Sequence, residues 1–219
     1  MSMSTNEGAV DPIIILPGLW RWQAVHPAWE QGDDWEPEVA WWLVRTPAGA
    51  VLIDPLVEDW DGLDAVVQAA GGCAAIVRTC WWHERSIEAA SHRYDSEVWA
   101  RQPSAGAPSR RLDHLVDDGE ELPGGLQAFN VLRDDEIGVW LPAQSALAFG
   151  DVMVRDGDGR LSMCPESWIA RAGGHPALRA VLAPLQSLGA DHVLVSHGPL
   201  VLGDGRAALR RAVTPEAPA

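Results

Sequence analysis

The sequence predicts an α/β fold. Short apolar runs typical of strands fill the first third, and segments with helical spacing fill the last third. The length of 219 residues suits one compact domain with a sizeable core, and 47% hydrophobic with 21% charged residues is ordinary for a globular chain. This order is typical of two sheets between helix layers or of one ordinary α/β sheet, and periodicity does not choose between them.

The first half of the chain alternates predicted strands and helices. Apolar runs predict strands at residues 13–16, 39–45, 50–53, 74–79 and 98–100. Thr46-Pro47-Ala48-Gly49 predicts a hairpin turn, whereas the Trp-rich, acidic stretch that ends near Trp35 predicts a loop. Helices are predicted over residues 61–70 and from Ser86 onward.

The second half continues with strands and ends in helices. Further strands are predicted at residues 126–132, 137–141, 146–149 and 192–195. Helices are predicted over residues 166–171, 176–188 and 204–213, and residues 102–111 read as an exposed loop. We expect a single domain over residues 1–219, with disordered tails at 1–10 and 214–219.

Composition excludes several partners and mechanisms. A net charge of -15 repels nucleic-acid phosphates and anionic headgroups, so we expect neither a nucleic-acid nor a membrane partner. All 16 basic residues are Arg, and the absence of Lys excludes Schiff-base chemistry and the Walker lysine. Three scattered cysteines and a polar start without a signal-peptide pattern predict a cytoplasmic protein with free thiols.

Four polar segments follow predicted strands, where α/β proteins place ligands on a rigid scaffold. They are Asp54-Pro55, the stretch from Thr79 to Ser86, Gly150-Asp151 and Ser196-His197-Gly198. Each segment alone is more simply a turn. Their order along the chain is the informative observation.

Together these segments resemble landmarks of the metallo-β-lactamase family. Residues 42–55 resemble its early hairpin, and residues 76–79 lead into the loop that carries its H-x-H-x-D-H metal motif. Residues 146–151 are similar to the strand that ends in the bridging Asp, and residues 193–198 to the strand that ends in the last ligand His. The resemblance covers most of the chain and implies an αββα four-layer sandwich.

The metal motif itself is degenerate in this chain. Placed on it, Cys80 and Trp82 take the first two His positions, Glu84 takes the Asp and Arg85 takes the third His. Indole offers no lone pair and guanidinium is a permanent cation, so we expect no ordinary dinuclear zinc site. We infer instead that Arg85 replaces the second metal by pairing with Glu84 and Asp151.

The other ligand positions of the family leave a partial set. Residues 133–136 contain no counterpart of its middle His, whereas Asp151 and His197 are retained. We therefore expect no cofactor. If zinc or iron binds, the expected ligands are Asp151, His197 and Glu84, or His83 with Asp151 and His197 in a mononuclear site. Five histidines are interpreted as surface or capping groups: His26, His92, His114, His175 and His192.

The leading functional hypothesis is a pocket that binds a small anionic or aromatic ligand without zinc hydrolysis. Its expected lining is Cys80, Trp82, His83, Glu84, Arg85, Asp151 and His197. A divergent hydrolase of esters, thioesters or amides, with one metal or none, is the alternative. A third is a partner surface made of Trp20, Trp22, Trp29 and Trp35. The ligand, the catalytic residues and the oligomeric state stay open.

Overall fold

The computed structural model describes residues 12–102, 108–132, 135–155 and 158–214. The expected tail at residues 1–10 and all but Thr214 of the expected tail at 214–219 lie outside this range. The single-domain expectation stays a prediction. Within the described residues no helix is long and apolar enough to cross a membrane.

A first sheet contains seven strands of the described residues, in chain order from one edge to the other. They are β1 (Ile13–Leu16), β2 (Leu19–Val25), β3 (Glu38–Thr46), β4 (Gly49–Ile53), β5 (Cys73–Arg78), β6 (Val98–Ala100) and β7 (His114–Leu115). Strands β1 to β4 pair antiparallel, and β4 to β7 pair parallel. The parallel part needs crossovers, which α1 (Trp60–Ala69) and α2 (Ile87–Tyr94) supply between β4, β5 and β6.

A second sheet contains six strands of the described residues in the order β15-β14-β11-β10-β9-β8. They are β8 (Glu121–Leu122), β9 (Leu126–Asn130), β10 (Ile137–Leu141), β11 (Ala146–Phe149), β14 (His192–Val195) and β15 (Val201–Leu202). A separate ribbon pairs β12 (Met153–Arg155) with β13 (Leu161–Met163). The helices of this half are α3 (Glu166–Ile169), α4 (Gly174–Leu182) and α5 (Gly205–Val213).

Three apolar clusters define four layers. One packs α1 and α2 against the first sheet, one lies between the two sheets, and one packs α3 to α5 against the second sheet. Strand β3 shows how the sequence builds two of them: Trp41 belongs to the helix side and Trp42 to the intersheet side, because neighbouring strand residues face opposite ways. The arrangement confirms the expected αββα sandwich.

The predicted elements differ from the structure at a few places. The stretch after residue 16 is not entirely a loop, because Leu19–Val25 forms β2 and pairs along its whole length with β3. The helix predicted over 176–188 is helical as Gly174–Leu182 and continues as tighter turns, since Pro184 has no N–H to donate. The short strands β7, β8, β12, β13 and β15 were missed.

Replacement of Leu52 on β4 by Ala tests the layer between α1, α2 and the first sheet. Leu52 is fully buried, so its truncation should lower the free energy of unfolding by about 2–5 kcal/mol in chemical denaturation. The same change at Leu202, which is 50% exposed, should stay within about 0.5 kcal/mol. Equal losses in the two variants would contradict this description of the core.

Candidate functional site

The candidate site lies where strands of both sheets end. Asp54 directly follows β4, Cys80 follows β5 by two residues, and Asp151 and His197 hold the same position after β11 and β14. Isolated bridges join Val39 to His197 and Cys80 to Glu136 at this end of the sandwich. The segment after β11 approaches the segment after β5 so closely that position 150 must be Gly, because a Cβ there would lie 2.7 Å from Thr79 Oγ1. The fold thus brings four separate segments together.

His83 lies at the centre of the site, between two carboxylates. Its Nδ1 is 2.9 Å from Asp54 Oδ2 and its Nε2 is 2.9 Å from Asp151 Oδ1, and the side chain is buried. Burial and the Arg85 guanidinium lower the pKa of His83, but Asp151 and Asp54 outweigh them and raise it to about 9. In the absence of other ligands, the imidazole therefore carries a proton and bridges the two acids.

Both carboxylates are held by further donors. Asp54 accepts hydrogen bonds from the Thr79 backbone N–H and hydroxyl. Asp151 accepts one from Cys80 Sγ at 3.2 Å, and its other oxygen lies 3.5 Å from His197 Nε2. Burial alone would raise the pKa of each carboxyl, but His83 and these contacts hold both below their usual range.

Arg85 sits beside this group but does not pair with the acids that the sequence suggested. Its Nη1 donates to the carbonyls of Ala40 and Asp54 at 3.0 and 3.1 Å, and its Nη2 donates to Ser196 Oγ at 2.6 Å. The backbone at Arg85 is left-handed, with φ of 44°. Arg85 therefore ties β3, β4 and β14 together at the floor of the site.

Glu84 also differs from the expectation, because its carboxylate is engaged elsewhere. It accepts from Arg78 and Arg110, each at 3.0 Å, and does not line the cleft described next. Arg78 is buried and stacks over the ring of Trp81, so Glu84 compensates a desolvated charge. The physical reason is the turn after β5, which points consecutive side chains to different sides.

A cleft of about 320 Å³ opens over His83. Its lining combines three Trp rings, four basic groups, two carboxylates and one Val: Trp35, Trp82, Trp168, His26, His83, Arg85, His197, Asp34, Asp151 and Val39. Trp35 and Trp168 contact His197 edge to face, at centroid distances of 5.5 and 6.0 Å. Trp168 Nε1 donates to Asp34, which joins the β2–β3 loop to α3.

The structure brings together most of the residues that the sequence singled out, and adds others. His83, Arg85, Trp82, Asp151 and His197 line the cleft, and Cys80 lies just behind Asp151. His26, interpreted as a surface or capping group, accepts the Ala28 backbone N–H at 3.2 Å and also lines the cleft, as do Asp34 and Trp168. No spacing signal marks these three, because the contacts join loops that are distant in sequence.

The expected partner surface of early Trp residues is divided. Trp22 is buried and stacked on Trp41 with centroids 4.3 Å apart, so it belongs to the core. Trp35 faces the cleft, and Trp29 Nε1 donates to the Trp35 carbonyl. Trp22 lies in the core and Trp35 in the cleft wall, so these two rings do not share one outward face.

The residues present do not fit a dinuclear zinc centre. Trp82 provides no ligand atom, Arg85 adds a fixed positive charge, and Glu84 is bound to two Arg side chains. Near the position of the family's middle His, Glu136 Oε1 accepts the backbone N–H groups of Asp151 and Val152, and Asp134 lies outside the described residues. Among the described residues, one group of metal-ligating side chains does converge: Cys80, His83 and Asp151.

Comparisons with known proteins agree with the fold. A family model described as the metallo-beta-lactamase superfamily matches residues 15–215, so the chain belongs to that superfamily. A comparison with curated protein sequences gives no match.

Solved structures give the same result for the architecture. DIM-1 metallo-beta-lactamase is similar with a TM-score of 0.68 at 14% identity, over 92% of this chain and 94% of that one. A metallo-beta-lactamase from Pontibacter korlensis has a TM-score of 0.65 at 18% identity, covering 92% and 96%. FIM-1 from Pseudomonas aeruginosa, in its mono-zinc form, has 0.61 at 15%, covering 93% and 96%. Identities this low support the fold alone.

Substitution of Glu84 by Gln tests whether this acid is scaffold. The variant leaves Arg78 without its ionic partner, so the free energy of unfolding should fall by about 1–3 kcal/mol in urea denaturation. The cleft should be unchanged, with the NMR titration of His26 as the measure. Unchanged stability together with an altered His26 titration would place Glu84 in the site after all.

The lowered pKa of His26 predicts how the stability of the protein depends on pH. Burial and the positive charges of Arg85 and His83 outweigh Asp151 and lower the pKa of His26 to about 4. A His with a depressed pKa stabilises the fold above its unfolded value near 6.5, and this contribution is lost as pH falls toward 4. Unfolding free energies of the wild type should therefore fall relative to His26→Asn over that interval, and a parallel pH dependence would contradict the prediction.

Proposed function

We propose that this chain is a metallo-β-lactamase-fold protein with a degraded dinuclear site, whose cleft binds a small anionic or aromatic ligand without dinuclear zinc hydrolysis. The observation that carries the proposal is the lining itself: cationic groups at the floor and Trp rings on the walls. A ligand with a flat ring and an anionic group satisfies both parts of this lining.

The anionic preference follows from the charges around the cleft. Burial lowers the pKa of His26, and the charges of Arg85 and His83 lower it further, which supports a positive potential at this side chain in a chain whose net charge is -15. Arg85 contributes a cation that is fixed by Ala40, Asp54 and Ser196. A preorganised cation of this kind interacts with an anion without first losing side-chain freedom.

The aromatic preference follows from the exposed ring surface. Trp82 is 52% exposed and lines the cleft, although a large apolar ring in water is unfavourable. Trp35 and Trp168 form the other wall around His197. Offset or edge-to-face contacts of these rings would add to the binding of a planar ligand.

A screen with matched ligands tests the proposal on chelator-treated protein. Benzoate and phenyl phosphate combine both features, benzamide lacks the charge, and acetate and inorganic phosphate lack the ring. We expect the aromatic anions to raise Tm most and to move the pKa of His26 upward from about 4, because a bound anion offsets the neighbouring cations.

Substitutions then assign the binding to the cleft. Trp82→Ala should weaken the aromatic anions, whereas Trp60→Ala on α1, outside the cleft lining, should leave their affinity unchanged. If no class of compound shifts Tm or the His26 titration, or if both Trp variants lose affinity equally, the ligand-binding proposal is wrong.

A divergent hydrolase is the second candidate, and the arrangement of His197 favours it. His197 Nε2 lies 3.5 Å from Asp151, which is how a carboxylate orients a general base, and Arg85 lines the same cleft as a cation for an oxyanion. Esters, thioesters and amides of aromatic acids are the substrates to assay. Turnover that His197→Asn abolishes would favour this candidate over simple binding.

The location and partners of the protein are part of the proposal. Cys73, Cys80 and Cys164, the three cysteines of the sequence, form no disulfide, which suits the reducing cytoplasm. The net charge of -15 disfavours nucleic acid and anionic membranes as partners, which leaves a small molecule as the proposed partner.

A further inference from the structure

The three side chains that converge at the floor of the cleft have the chemistry of a metal site. Ligand atoms of Cys80, His83 and Asp151 all lie within 4.8 Å of one another. We propose that they bind a single divalent transition-metal ion such as Zn²⁺, through Cys80 Sγ, His83 Nε2 and an Asp151 carboxylate oxygen. This set differs from the degenerate motif, because His83 occupies a position between the family's ligands and Glu84 takes no part.

The donor types select the class of ion. A thiolate, an imidazole and a carboxylate together suit Zn²⁺ and Co²⁺, whereas Ca²⁺ and Mg²⁺ require oxygen ligands. Ligands at about 2.0–2.3 Å from an ion are spaced by about 3–4 Å. The two oxygens of Asp151 each face one of the other ligands near this spacing, with 3.2 Å from Cys80 Sγ to Oδ2 and 2.9 Å from His83 Nε2 to Oδ1.

The surroundings of His83 orient it as metal-binding histidines are usually oriented. Its other nitrogen, Nδ1, is bound to the Asp54 carboxylate at 2.9 Å, and Asp54 is fixed by the backbone N–H of Thr79 at 2.8 Å. A carboxylate on the far nitrogen sets the tautomer and the ring orientation of a ligating His. Asp54 is thus a positioning residue for the proposed site.

The scaffold holds the other two ligands equally firmly. Cys80 is fully buried and bridges to Glu136 through its backbone, and Glu136 Oε1 accepts the Asp151 N–H at 2.7 Å. Binding would release two protons to solvent, one from the Cys80 thiol and one from the imidazole between Asp54 and Asp151. Three protein ligands leave a further position on the ion.

Cobalt titration of the full chain, stripped with a chelator that is then removed, tests the site by its spectrum. We expect about one equivalent of Co²⁺ with tetrahedral d–d bands and a thiolate-to-cobalt charge-transfer band. Cys80→Ser should lose the charge-transfer band, whereas Cys73→Ser should keep it. A chain in which Cys73 and Cys164 are both replaced by Ser, with Cys80 intact, must also keep the band.

Variants of the remaining ligands separate binding from positioning. His83→Asn and Asp151→Asn should abolish stoichiometric binding, while His26→Asn, which changes another cleft histidine, should not. Asp54→Asn should retain the charge-transfer band and bind about 10–100-fold more weakly, as expected for a group that only orients a ligand.

Several results would overturn the inference. They are less than about a tenth of an equivalent of Co²⁺ and Zn²⁺ bound to the wild type, absence of a charge-transfer band from the bound Co²⁺, and persistence of that band in Cys80→Ser. The inference does not rest on the proposed ligand, because the titration contains no organic compound and the ligand screen contains no metal. Each can fail while the other holds.

Discussion

The bridge of His83 between Asp54 and Asp151 is the interaction on which the rest of the site depends. Asp54 follows a strand of the first sheet and Asp151 a strand of the second, so one imidazole joins the two sheets at their open end. Burying a carboxylate without a partner costs free energy, and here the two buried carboxylates share the His83 imidazole as their partner. The positions of Cys80 and His197, which contact Asp151, follow from this bridge.

Apolar packing and one guanidinium hold together the strands that surround the site. The layers of the fold are held by three apolar clusters, and at the site end Arg85 adds direct hydrogen bonds to Ala40, Asp54 and Ser196. A guanidinium has several fixed donors and can satisfy backbone carbonyls of different strands at once. Arg85 therefore acts as a polar crosslink, although it does not pair with the acids that a metal would neutralise.

The side chains that line the cleft come from segments that are far apart in the sequence. Trp35 and Asp34 come from the β2–β3 loop, Trp82 from the turn after β5 and Trp168 from α3. The hydrogen bond between Trp168 and Asp34 links two of these segments across the opening. An acidic chain thus encloses a small cleft lined by basic side chains and aromatic rings, and this local contrast supports the anionic ligand proposed above.

The sequence by itself determined most of the strands, because apolar periodicity is local, whereas the layer order came from the resemblance of the strand-end segments to the metallo-β-lactamase family. It also showed that Trp82 and Arg85, which stand at two positions of the metal motif, offer no ligand atoms whatever their conformation. Strand β2 was not predicted, because Arg21 and Gln23 interrupt its apolar pattern. Its backbone pairing with β3 defines it as a strand.

Only the tertiary structure decided which polar residues meet. The choice between Glu84 and His83 depended on the turn after β5, and that turn sends Glu84 to Arg78 and His83 to Asp54 and Asp151. The entry of His26 into the cleft depended on the β2–β3 loop meeting the turn that carries Trp82 and His83, more than fifty residues away in sequence. Packing sets the direction of a side chain in a turn and the contacts between distant loops. The spacing of residues along the chain predicts neither of them.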